Sequence, residues 1–200
     1  MVEAPLTSAS LLVRIRDGRD QQAWQQFVQL YAPVVYGFAR KRGLQDADAA
    51  DVMQDVLRSV ARTAARLDYD PSRGTFRGWL YTVARNKIVN FLESSRHNAG
   101  RGTGGTDAHQ RLESMAGSEW AFAETWDEEY ERNLAALAIQ RVQGEVQPAT
   151  WQAFWQTAVE GKHAREAGAA LGMSAGAVYV ARSRVLARLK EEVGRLREAE

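Results

Sequence analysis

Apolar residues along this chain recur at three- and four-residue spacing, which predicts helices throughout and no strand. Ser10–Tyr31 carries Leu11, Leu12, Ile15, Trp24, Phe27, Val28 and Leu30, and Asp17-Gly18 predicts a break into two helices. Pro33 suits the first turn of another, where its missing N–H would be unpaired anyway. That helix passes through Val34, Val35, Phe38 and Ala39 and stops at Arg40-Lys41-Arg42-Gly43, cations followed by glycine. A long helix is expected over Asp46–Leu67, with Val52, Val56, Leu57, Val60, Ala64 and Leu67 buried. Turn residues make Asp68–Gly74 a loop. Phe76–Leu92 is helical again: Leu80, Ala84, Ile88 and Phe91 form one stripe, and Thr82, Asn86 and Asn90 another on nearly the opposite side.

The spacing weakens over residues 95–118, which include Arg-Gly-Thr-Gly-Gly and read as a flexible linker. Thr125 with Glu128 fits a capping box, so a helix is expected to start near Trp126 and run to Gly144. Pro148 opens the next, with Trp151, Phe154, Trp155 and Val159 apolar, ending at Gly161. Ala164–Lys190 then reads as two helices around a tight turn. Ala167, Ala170 and Leu171 recur on the first. Gly172 suits a left-handed helix end and Ser174 an N-cap. Val178, Val185 and Leu189 stripe the second, while Tyr179, Arg182 and Ser183 point elsewhere. That is a helix-turn-helix pattern, shared by any helical hairpin with a solvated basic face.

Composition narrows this. The chain has 200 residues, 45% of them apolar, and no cysteine, so thiol chemistry, thiolate metal sites and disulfides are excluded. No apolar run is long enough to span a bilayer and no signal core opens the chain, so a cytoplasmic location without membrane insertion is expected. Net charge is only +1, but it is segregated. Arg73–Arg101 holds six basic residues and one acid, Asp107–Glu131 one base and eight acids, and Lys162–Arg197 eight bases and three acids. Two basic blocks around an acidic one suit two polyanion-binding surfaces and an insert that a polyanion repels.

No catalytic constellation is present. His97, His109 and His163 are scattered, and no nucleophile elbow, Walker loop or dinucleotide motif occurs, so no cofactor, metal or small-molecule substrate is expected. Asp46, Asp48, Asp51 and Asp55 fit three readings: complements to the helix dipole, a metal cluster, or a protein-docking surface. The Thr82/Asn86/Asn90 stripe, flanked by Trp79, Arg85 and Lys87, is either solvated or a face for nucleic-acid bases and phosphates.

Three blocks carry a resemblance: Asp48-Ala-Ala-Asp-Val-Met-Gln-Asp-Val-Leu57, Phe76-Arg-Gly-Trp-Leu-Tyr-Thr-Val-Ala-Arg-Asn-Lys87, and Glu160-Gly through the helix-turn-helix. In this order the chain resembles bacterial RNA polymerase sigma factors of the extracytoplasmic-function class, over about residues 8–95 and 127–193. The resemblance implies an all-α chain of two small helical domains joined by a flexible linker, the second containing the helix-turn-helix. Residues 1–95 would bind core polymerase and melt the −10 element, 96–126 would be linker, acidic towards its end, and 127–200 would read the −35 element.

It further implies that Asp51, Val52, Gln54, Asp55 and Leu57 dock on the clamp helices of the largest polymerase subunit, and that the flap is a second contact. Asp68, Phe76, Trp79, Arg85, Asn86 and Asn90 would meet the −10 element, the Asp68–Phe76 loop capturing a flipped base. Many family members carry a basic-Ser-Arg run where this chain has Tyr179, Val180 and Ala181, so upstream readout is assigned to Ser174, Tyr179, Arg182 and Ser183. Promoter DNA, core RNA polymerase and an anti-sigma factor are the implied partners, and the protein itself would not be an enzyme. A stand-alone helix-turn-helix regulator and a helical adaptor are the rival readings.

Overall fold

A computed structural model describes residues 9–64, 75–99 and 119–197, and every regular element among them is helical. The chain divides into two compact units, one reaching Asn133 and the other beginning at Leu134.

The first unit contains α1 (Ala9–Ile15), α2 (Gln21–Lys41), α3 (Asp46–Ala64), α4 (Phe76–Ala99) and α5 (Glu119–Glu145) as far as Asn133. The break at Asp17-Gly18 is present, and Asp20 fixes it. Its carboxylate accepts the Ala23 N–H at 2.9 Å and the Arg14 Nε–H at 2.7 Å, which hold it below the usual carboxylate pKa, the arginine bond most of all. Pro33 does not begin a helix, contrary to the sequence reading; it lies inside α2. A proline there removes one rung of the ladder, the bond to the carbonyl four residues back at Gln29. The side chain of Asn133 answers locally: its Nδ2 donates to Leu30 O at 2.6 Å and lies 3.5 Å from Gln29 O. The predicted stop holds, with Gly43 at φ 83° and Arg40 Nη1 donating to Leu44 O at 2.5 Å.

Val52, Val56, Val60 and Ala64 of α3 are buried, together with Phe76, Leu80, Ala84, Ile88 and Leu92 of α4. They pack with Phe27, Tyr31, Val34 and Phe38 of α2 to make the core. The α4 stripe is thus shifted slightly from expectation: Leu92 is buried and Phe91 only half so. The helix also runs seven residues beyond Leu92.

The largest departure is α5. It starts at Glu119, not near Trp126, and no capping box forms. Thr125 Oγ1 instead donates to Ala121 O at 2.8 Å, one turn back, and Glu128 pairs with Lys41. Phe122, Trp126 and Tyr130, four residues apart, bury their rings against Phe38, Tyr81 and Tyr31. Each such ring contributes about 1.5–3 kcal/mol when fully removed from water. The residues read as an acidic linker end are therefore part of the first unit's core.

The second unit holds the rest of α5, α6 (Pro148–Phe154), a π-helical turn over Trp155–Val159, α7 (Ala164–Leu171) and α8 (Ala175–Arg197). Pro148 sits in the first turn of α6 as expected. The π turn carries one extra residue and so rotates the positions after it, leaving Val159 exposed where the sequence put it in the core. Val142, Trp151, Phe154 and Val185 form one buried cluster, and Ala153, Ala164, Ala167, Val178 and Ala181 another. Ala170, expected in the stripe, faces solvent. Glu192 is buried between Arg141 at 2.7 Å and Arg195 at 3.2 Å, so its carboxylate is paired from two sides.

Candidate nucleic-acid interface

Helix α4 presents three longitudinal faces. Phe76, Leu80, Ala84 and Ile88 point into the core. Thr82, Asn86 and Asn90 are exposed, one turn apart, and form an unbroken polar strip. Thr82 Oγ1 donates back to Gly78 O at 3.0 Å, which orients the first of the three. Trp79, Val83 and Lys87, half-buried, border the strip. Asparagine offers both a donor and an acceptor, so a solvent-facing row of two can bond base edges in either sense.

The third face is Arg77, Tyr81 and Arg85, and it is covered by α5. Arg77 lies 3.6 Å from the Asp127 carboxylate and 4.7 Å from the Tyr130 ring centre. Tyr81 meets Trp126 at 6.0 Å, and Arg85 lies 5.6 Å from the Phe122 ring centre. Arg85 is therefore not grouped with Asn86 and Asn90, contrary to the expectation from sequence.

Other predicted −10 residues separate as well. Phe76 is buried against Phe27 and Tyr31 at 5.9 and 5.7 Å, which corrects its placement in an open capture loop. Trp79 leans on Phe76 at 5.3 Å and stays half-exposed. Asp68 lies outside the described residues.

On α3, Asp51, Gln54 and Asp55 are exposed on successive turns, while Val52 is only 4% exposed and belongs to the core. Val52 thus faces the interior and does not share the exposed face of Asp51, Gln54 and Asp55. Leu57 is half-buried one turn on from Gln54, and Asp55 pairs with Arg58 at 2.9 Å. Asp46 accepts from the Tyr36 hydroxyl and lies 3.8 Å from Arg40. No group of His, Asp or Glu among the described residues is disposed to hold a metal ion.

In the second unit α7 and α8 are joined by Gly172, Met173 and Ser174. Gly172 takes φ 66°, and the Met173 N–H closes on Gly168 O at 2.8 Å, satisfying a carbonyl of the last turn. Ser174 Oγ accepts the Ala177 N–H at 3.1 Å, the predicted N-cap. Tyr179 is 62% exposed, and Ser174, Arg182 and Ser183 are exposed with it. Ala181 is 5% exposed and packs inward, so of the three atypical positions only Tyr179 and Val180 are on the surface. An open hollow lined by His163, Arg165, Glu166 and Tyr179 lies beside this face.

Sequence reasoning missed the group that α5 covers. Arg42 is 9% exposed; its Nη2 donates to Ala121 O and, at 2.6 Å, to Thr125 Oγ1, and its guanidinium sits 4.0 Å from the Phe122 ring centre. Burial lowers its pKa from the ordinary arginine value. Lys41 contacts Glu128 at 2.5 Å and Glu129 at 3.2 Å; the bond to Glu128 raises the lysine pKa and lowers that of Glu128. The only sequence signal is the Arg-Lys-Arg run, which a helix stop accounts for equally well.

Comparison with known proteins gives this geometry a family. Residues 27–98 match the family described as sigma-70 region 2. The chain is 37% identical over 87 residues to the ECF RNA polymerase sigma factor RpoE of Cereibacter sphaeroides, a match covering 44% of this chain and 47% of that protein. It is 32% identical to the RNA polymerase sigma factor CarQ of Myxococcus xanthus over 92% of this chain and 95% of CarQ. The sigma factor CnrH of Cupriavidus metallidurans is 30% identical over 80% of both chains. The solved structure of CnrH in complex with the cytosolic domain of CnrY aligns with 92% of this chain and 96% of that one, at 22% identity and a TM-score of 0.38. With the CarQ match running nearly end to end, the chain belongs to the sigma-70 family of RNA polymerase sigma factors, in its extracytoplasmic-function class.

Proposed function

We propose that this protein binds core RNA polymerase, directs it to promoters and promotes strand opening, with the polymerase supplying all the catalysis. The observation that carries the opening step is the exposed Thr82/Asn86/Asn90 strip on α4, bordered by Trp79 and Lys87. A separated strand offers unpaired base edges to such a strip, and Trp79 offers a stacking surface. Asp51, Gln54 and Asp55 on α3 form the acidic polymerase-docking face, with Leu57 as its apolar neighbour. Ser174, Tyr179, Arg182 and Ser183 read or grip the upstream duplex. A restraining anti-sigma partner, which the class resemblance implies, belongs to the same proposal.

The test is the double substitution Asn86→Ala/Asn90→Ala. It is expected to leave co-purification with core polymerase intact and to reduce open-complex formation on a duplex promoter at least tenfold. A premelted promoter bubble should restore most of the loss. Normal opening on duplex DNA by the double variant would rule out the assignment of the strip. A chain that binds promoter DNA alone yet never engages polymerase would instead favour a stand-alone regulator.

A further inference from the structure

We infer that the groove between the end of α2 and the Arg77/Tyr81/Arg85 face of α4 is a second single-stranded DNA surface, and that residues 119–133 of α5 occupy it as a mimic of that strand. The inference deepens the strand-opening reading above and rests on it. The occupant has the chemistry of a single strand. Phe122, Trp126 and Tyr130 present aromatic faces at one-turn intervals, and Asp127, Glu128 and Glu129 present carboxylates to Arg77 and Lys41. Bases and phosphates would meet the same receptors: stacking on Tyr81 and the guanidinium planes, charge pairing with the cations.

Two features mark the occupant as an imperfect fit. Arg42 is buried, yet its acceptors are a backbone carbonyl and a hydroxyl, both neutral. A phosphate oxygen would be the stronger partner for a desolvated guanidinium. The Trp126 Nε1 is also buried without an acceptor among the described residues. A helix held with a cation that meets only neutral partners and with an unmet donor is one that a better ligand can displace.

The docking depends on a notch. Gly37 lies inside α2, and a Cβ added there would fall within the Glu129 carboxylate and 3.3 Å from its Cγ. Glu129 is buried and bonded by Lys41 and Arg132, so moving its carboxylate aside breaks those pairs. Alanine is the better helix former, so Gly37→Ala should keep α2 while loosening α5.

The experiment measures binding of the full-length protein to a fluorescein-labelled single-stranded oligonucleotide over a range of salt. Gly37→Ala is expected to bind at least threefold more tightly than the parent, with a steeper salt dependence as freed cations reach phosphates. Adding Arg85→Gln to Gly37→Ala should abolish most of that gain. Glu124→Gln is the control: the residue is exposed on the same helix, away from the docked rings, and its substitution removes one acid without loosening the helix. It should bind within a factor of 1.5 of the parent. No gain from Gly37→Ala, a gain that survives Arg85→Gln, or an equal gain from Glu124→Gln overturns the inference. Pull-down of core polymerase by each variant runs alongside. Failure of every protein to capture polymerase, with the binding differences intact, would sink the sigma-factor mechanism and leave the mimic standing.

Discussion

Asn133 shows how one side chain ties together two places that spacing misreads. An interior proline orphans a carbonyl, so Pro33 suits a helix start by local rules. It sits inside α2 because an amide more than a hundred residues later supplies donors to that turn, to Leu30 O at 2.6 Å. Periodicity cannot register such a compensation. The bond is buried, and a leucine of similar size would remove the donor while adding apolar surface that the pocket does not need. Asn133→Leu is expected to destabilise the first unit by about 1 kcal/mol, the net worth of one buried hydrogen bond. Urea unfolding monitored by far-UV circular dichroism checks this, as a lower midpoint at unchanged slope. The same scale explains Arg42: a basic residue after a helix reads as an end signal, and only its neighbours Phe122 and Thr125 make it a buried cation.

Among the elements, the α7–α8 corner is the most legible from sequence. Gly172, Ser174, Val178 and Val185 all play the parts their types predict, because caps and turns are chosen locally. Gly168 adds what local rules omit. A Cβ there would come 2.5 Å from Met173 O, a backbone atom, and 3.5 Å from Val178 Cγ2. Since that turn is itself tied back to Gly168 O, it cannot yield cheaply. Gly168→Ala is therefore expected to destabilise the second unit by about 1–3 kcal/mol, despite alanine's higher helix propensity. A thermal melt that rises or stays level would contradict it. Helix α4 makes the complementary point: its core and asparagine faces are legible from spacing, but the fate of the Arg77/Tyr81/Arg85 face depends on α5.

For the whole molecule, the near-zero net charge conceals surfaces of opposite sign. No helix among the described residues is long and apolar enough to cross a membrane. The acidic block is not simply repelled from a polyanion, as charge alone suggests. Two of its carboxylates, Glu128 and Asp127, pair with Lys41 and Arg77 within one unit. The basic surface of the second unit is differently placed: Arg182 is exposed on α8 beside Ser183 and one turn from Tyr179. If its role is to hold a phosphate, Arg182→Ala should weaken duplex binding by the same factor on every sequence and lower the salt slope by about one. Titrations of two unrelated duplexes at several salt concentrations measure both; a loss confined to one sequence would assign Arg182 to base readout instead.

The order of residues by itself determined the all-helical class, most helix cores, the corner of the helix-turn-helix and the family. These rest on spacing, caps and motif order, which are properties of neighbours in the chain. Tertiary structure decided which of two compatible faces each amphipathic residue serves. It put Phe76 in the core, took Arg85 from the asparagine strip, and turned an acidic linker end into a docked helix. Burial and charge pairing depend on what arrives from elsewhere in the chain, and no periodicity encodes an arrival.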